Sequence, residues 1–159
     1  MSVRVRDLLM RELDVLRYEP IDKRIRATLG DDTVIDSTRA MLVWEPKRVV
    51  PTYAVPSEDV DGEILSVPRS ETGDFDAFDA WYEEDERNVG HPRDPFHRID
   101  IVHSSRHVRL ERDGVVLAES TRPYLLFEPP LPVRYYLPPE DVRSELLRPS
   151  ETRSFCASP

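Results

Sequence analysis

All four histidines of this 159-residue chain fall between positions 91 and 107: His91, His97, His103 and His107. In GHPRDPFHR, His91, Asp94 and His97 follow one another at intervals of three. Two imidazoles and a carboxylate are a donor set that binds zinc or iron. Pro92 and Pro95 bias the stretch toward polyproline II, whose three-residue turn would align those side chains along one edge. Neighbouring positions on that edge sit about 9 Å apart, so a single metal would require a bend. The competing reading makes them loop histidines that hold a junction through backbone hydrogen bonds.

A second group is Ser120-Thr121-Arg122 with Glu128, Arg134, Tyr135 and Tyr136. Arg122 and Arg134 supply donors, the tyrosines supply aromatic walls, and Ser120 and Thr121 add hydroxyls. Such a polar pocket suits a small anionic or planar molecule, or a partner peptide. Arg122 and Glu128 lie six apart, on one face if the segment is a strand. The structural alternative is therefore an ion pair that closes a hairpin. Nucleophilic catalysis has little support: Ser120 lacks a Gly-x-Ser-x-Gly setting, and Cys156 lies near the end of the sequence given. General acid–base work by Glu128 stays open, because its pKa is a property of the folded site.

These residues belong to a repeat. RIRATLGDDTVIDSTRAMLVWEP (24–46) aligns without gaps on HVRLERDGVVLAESTRPYLLFEP (107–129). After a one-residue shift, Tyr53, Pro56 and Glu58-Asp59-Val60 match Tyr135, Pro138 and Glu140-Asp141-Val142. Arg134 and Tyr136 stand where the first copy has Thr52 and Ala54, so the second copy is the one furnished for binding. Asp113-Gly114 is a hairpin signal, and Gly30-Asp31-Asp32 occupies that place in the first copy. MLVW and YLLF read as short strands. PSEDVDGEIL and PPEDVRSELL read as short helices, with proline and acids at their starts. Each unit, roughly 20–68 and 103–151, is expected to hold three or four antiparallel strands and a helical turn or two.

Outside the units, Val5, Leu8, Leu9, Leu13 and Leu16 predict an amphipathic helix over 4–15. Phe75, Phe78 and Tyr82 predict a short acidic helix in the intervening segment. The net charge of −9 is local. Glu71, Asp74, Asp76, Asp79, Glu83, Glu84, Asp85 and Glu86 stand in a stretch without a base, and removing those eight leaves −1. An acidic chain with no basic stripe argues against nucleic-acid binding. No stretch is long and apolar enough to span a membrane. One cysteine cannot form an internal disulfide, which fits a reducing, cytoplasmic compartment.

HVRLERDGVVLAESTRPYLLFEPPLPVRYYLPPEDVRSELLRPSETRSFC (107–156) resembles the domain-of-unknown-function 427 family. Hairpin, STR, glutamate-proline, Tyr-Tyr and Pro-Glu-Asp-Val follow there in fixed order. The first unit matches more weakly, and HPRDPFHR (91–98) looks like the junction of two-copy members. In the family the cysteine opens Cys-Pro-x-Lys-Gly and then a strand rich in alanine, tyrosine and tryptophan. Here Ala157-Ser158-Pro159 follows Cys156. The second unit is therefore expected to be C-terminally incomplete, with an open sheet edge that invites self-association. A nucleotidyltransferase name has been attached to the family. That chemistry needs a Gly-Gly or Gly-Ser turn before an Asp-x-Asp pair that binds magnesium. Asp74-Phe75-Asp76 supplies the pair, and no such turn is present.

The expectation is a mainly β protein: two pseudo-symmetric small antiparallel lobes with short helices and an N-terminal amphipathic helix. Residues 1–68 form the first unit, 69–102 an acidic linker and His/Pro-rich junction, and 103–159 the second unit. The expected function is a binding module for a small molecule or peptide, with a metal- or nucleotide-dependent enzyme and a structural homo-oligomer as alternatives. These residues name no cofactor.

Overall fold

The computed structural model describes residues 11–61, 74–93, 95–96, 98–128 and 131–151, without the side chains of Asp74 and Asp76. The chain is mainly β, as expected. Most of the helix expected over 4–15 lies outside the described residues. The first repeat comprises β1 (Arg17–Pro20), β2 (Ile25–Leu29), β3 (Asp32–Ser37), β4 (Met41–Trp44) and β5 (Thr52–Ala54). A hairpin follows, β6 (Ala80–Glu83) and β7 (Glu86–Asn88). The second repeat comprises β8 (Asp100–His103), β9 (Val108–Arg112), β10 (Val115–Ser120), β11 (Tyr124–Phe127) and β12 (Arg134–Tyr136).

The strand pairings recur in both repeats. β4 runs antiparallel between β1 and β5, and β11 between β8 and β12. Arg17 pairs with Trp44, and Asp100 with Phe127. Ile25 pairs with Ser37, and Val108 with Ser120. Even the isolated bridges correspond: Ile35 with Val60, and Ala118 with Val142. The hairpin turns use the backbone signal visible in the sequence. Asp113 and Gly114 have φ of 51° and 78°, the left-handed pair of a two-residue turn whose twist matches its strands. Where short helices are expected, the described residues hold 3-10 turns: Ser57–Asp59 in the first repeat, and Pro139–Asp141 and Ser144–Leu146 in the second.

The intervening segment differs from its expectation. It makes one 3-10 turn at Asp74–Ala77 and then the strand β6, which pairs along β2. Its aromatic spacing arose from a turn joined to a strand. Phe75 and Phe78 sit on or beside the turn, while Trp81 and Glu83 alternate inward on β6. An unpaired β2 edge favours extended backbone over the local helical period. Trp81 closes the first core over Ile25, Ala27, Ile35 and Ala40. Its ring centroid lies 5.1 Å from Tyr53, 5.7 Å from Phe75 and 5.0 Å from Phe78. A smaller core in the second repeat gathers Val102, Leu125, Phe127 and Val133.

Candidate functional site

The acidic run is not simply a solvated face. Glu83 and Glu84, at the β6–β7 turn, are both buried, and each is received by a cation at the same position of a different repeat. Lys23 precedes β2 and Arg106 precedes β9, 83 positions apart. Lys23 Nζ donates to Glu83 Oε2 at 2.7 Å. Arg106 holds both Glu84 oxygens, through Nε at 3.0 Å and through a terminal nitrogen. Glu84 also accepts from the Ser104 hydroxyl and the Arg24 backbone N–H, each at 2.7 Å. A carboxylate this buried needs such partners, because an unmatched charge would carry a desolvation cost of several kcal/mol. The β6–β7 hairpin is thus clamped between the repeats.

Lys23 extends the cluster. Its Nζ also donates to Asp100 Oδ2 at 2.7 Å and lies 5.2 Å from the Phe127 ring centre. The Arg93 guanidinium lies 3.4–3.6 Å from oxygens of Glu83, Glu86 and Asp100, and Arg98 bonds Asp100. Tyr53 donates its hydroxyl to Glu83 Oε1 at 2.6 Å and accepts from Asn88 at 2.9 Å. Burial, with Glu83 alongside, pushes the Tyr53 phenol far above its ordinary range, so it stays a donor. Burial raises the Asp100 carboxyl, but hydrogen bonds from Lys23 and Arg98 outweigh it and hold the group below the usual aspartate range.

This cluster floors a cleft of about 330 Å³. One wall is apolar: Leu42 from the first repeat, Phe127, Leu131 and Val133 from the second, and Phe96 from the junction. Phe96 stacks on Trp44, with ring centres 6.2 Å apart and planes 18° from parallel. Glu19, Asp22 and Glu128 add carboxylates to the lining. The volume falls within the usual range for small-ligand pockets, about 300–1,000 Å³.

The structure divides the residues singled out in the sequence. Ser120 and Arg122 form a staple. The Arg122 backbone N–H donates to Ser120 Oγ at 3.1 Å, and its guanidinium donates to Glu140 at 2.8 Å and Asp141 at 3.1 Å. Ser37, Arg39, Glu58 and Asp59 repeat this arrangement in the first copy. Arg122 and then Ser120 hold the Asp141 carboxyl below its ordinary value. Arg122 therefore bonds the Pro139–Asp141 turn, and Glu128 pairs with Arg134 of the neighbouring strand β12 at 3.3 Å. Strand β11 begins after Arg122 and ends before Glu128, so the two share no strand face. Thr121, Tyr135 and Tyr136 are exposed. Of that set, Glu128 lines the cleft.

Asp94 and His97 lie outside the described residues, as does Cys156. The His91 ring donates from Nδ1 to the Pro92 carbonyl at 2.8 Å. Among the described residues no group of three or more His, Cys, Asp and Glu is placed to hold a metal ion. Among them, too, no helix is long and apolar enough to cross a membrane. Asp74-Phe75-Asp76 falls on the 3-10 turn before β6. Lys23 and Asp100 belong to no motif in the sequence, and Arg93 stands in HPRDPFHR between the candidate ligands His91 and Asp94. The available signal was the alignment of Lys23 on Arg106, together with an acidic run that contains no base.

No curated protein and no solved structure matches the chain significantly. A family match covers residues 17–78 and 100–158, the two repeats found from internal alignment. The chain belongs to the family described as domain of unknown function (DUF427), which it matches twice.

Proposed function

We propose that the chain is a small-molecule binding module whose ligand occupies the cleft between the repeats. The proposed ligand has an apolar, planar body and is uncharged or carries an amine. The charge of the lining carries this reading. Lys23, Arg93 and Arg98 are all engaged by carboxylates on the cleft floor. Five carboxylates line the cleft, Glu19, Asp22, Glu83, Asp100 and Glu128, against those three cations and Arg134, which pairs with Glu128. An incoming anion would face that excess and would have to displace buried acids from their cations. A planar apolar body matches Phe96, Phe127 and Leu131, and an amine could reach Glu128 or Glu19. A cytoplasmic setting belongs to the same proposal, supported by the single cysteine.

A thermal-shift and calorimetric panel of size-matched aromatic amines, alcohols and carboxylates tests this. Amines and alcohols should raise the melting temperature, and carboxylates should not. Phe96 is half exposed, so Phe96→Ala should leave the fold intact while weakening binding by about threefold to tenfold, as expected for loss of one aromatic contact. Stabilisation by carboxylates as strong as by amines, or an unchanged affinity in Phe96→Ala, would overturn the reading.

A further inference from the structure

We infer that β9 is a dimerisation strand, pairing antiparallel with β9 of a second copy about Leu110. The two repeats differ most at this edge. In the first, β2 has β3 on one side and β6 on the other. In the second, β10 covers one side of β9, and among the described residues the other side has no strand. The outer edge of β10 is already engaged, by the Ala118–Val142 bridge and the Arg143 N–H to the Leu117 carbonyl at 2.9 Å. Among the described residues, the free edge of the second hairpin is therefore that of β9.

Burial agrees with the topology. Ala27 of β2 is 0% exposed, whereas Leu110, its counterpart on β9, is 55% exposed. Tyr53 packs against Trp81, whereas its counterpart Tyr135 is 51% exposed. A two-stranded ribbon is marginally stable in water and gains from a third strand.

The sequence of β9 selects the occupant. VRLER has charges of opposite sign flanking its central leucine. Antiparallel self-pairing centred on Leu110 sets Arg109 opposite Glu111 twice, Leu110 opposite Leu110, and Val108 opposite Arg112. Opposite charges across a strand pair stabilise it, and like charges destabilise it. Centring one residue earlier opposes Arg109 to itself, and one residue later opposes Glu111 to itself. The Leu110-centred register avoids both clashes. Such register dependence is expected of a strand that meets its own copy. Arg109 and Glu111 bond each other within the chain at 2.8 Å, and pairing would replace that exposed contact with two cross-strand ones. This inference is independent of the cleft.

Sedimentation velocity and light scattering on the full chain, from micromolar to millimolar, test the inference. Wild type should show a concentration-dependent monomer–dimer equilibrium. Glu111→Arg opposes arginine to arginine in both pairs and should weaken the dimer by about tenfold or more. Arg109→Glu combined with Glu111→Arg restores opposite charges and should restore dimerisation. Circular dichroism melts would show that each variant keeps its sheets. A strict monomer at millimolar concentration would overturn the inference and assign the edge to some other strand. A dimer insensitive to Glu111→Arg, or one not restored by the double exchange, would equally overturn it.

Discussion

Replacing Arg106 with methionine tests whether the Glu84 clamp holds the β6–β7 hairpin between the repeats. Glu84 is buried, and Arg106 supplies two of its hydrogen bonds. The variant keeps most of the side-chain volume and removes the charge. The Ser104 hydroxyl and the Arg24 N–H would remain as partners of the carboxylate. Breaking a buried pair by removing one partner costs about 3–5 kcal/mol. Arg106 is 24% exposed, so some water would reach the vacated space, and the lower end of about 3 kcal/mol is expected. That is a large part of a typical stability of about 5–15 kcal/mol, and it would lower the melting temperature by about 10 °C. Urea denaturation followed by tryptophan fluorescence reads it, because Trp81 is a residue of β6 itself and is buried in the first core. Arg106→Met with Glu84→Met removes the stranded charge and should recover part of the loss. Recovery should stay incomplete, since the Arg24 N–H and Ser104 hydroxyl would still lose an acceptor. A loss below about 1 kcal/mol in Arg106→Met, or a double variant no better than the single, would refute the clamp.

Three further outcomes follow from the same geometry. The Asp100 carboxyl is held below its ordinary value of 3.8; its contribution is therefore present above that pH and lost as pH falls below it. Acid titration of stability should show a steeper decline for wild type than for Asp100→Asn as the pH falls below about 4. Gly114 has φ of 78° with open space around a added Cβ, so Gly114→Ala should cost about 1 kcal/mol from backbone strain alone, measured by chemical denaturation. Arg122→Ala should slightly lower the melting temperature and leave affinity for a cleft ligand unchanged, since Arg122 bonds Glu140 and Asp141 instead of lining the cleft. Parallel calorimetry and thermal melts check both halves of that statement.

Much of the β architecture was legible because its signals are local. Asp113-Gly114, the alternating HVRLER and the repeated STR each act within a few residues, and duplication presents most of them twice. Strand β6 was misread because its identity depends on β2, more than fifty positions earlier, offering an edge. Trp81 and Glu83 alternate as a strand only once that edge is filled. The Ser120–Arg122 group was visible as a motif, but its partners lie on a turn some twenty residues later, and strand spacing pointed to Glu128. The cleft was the least legible feature. Lys23, Glu83, Arg93, Asp100 and Glu128 come from five separate segments, and nothing local marks them as neighbours. The alignment of Lys23 on Arg106, set beside adjacent acids Glu83 and Glu84, was the trace that reached the sequence.

The proposed ligand site lies between the repeats, over the Lys23–Glu83–Asp100 cluster. Titrating isotope-labelled protein with the best-stabilising aromatic amine, while recording amide and methyl NMR spectra, tests it most directly. Shifts should concentrate at Leu42, Leu131, Val133, Glu128 and the Trp44 indole, with the Ser120–Arg122 staple unmoved. Shifts centred on Ser120, Arg122, Tyr135 and Tyr136 would contradict it and place the site within the second repeat alone.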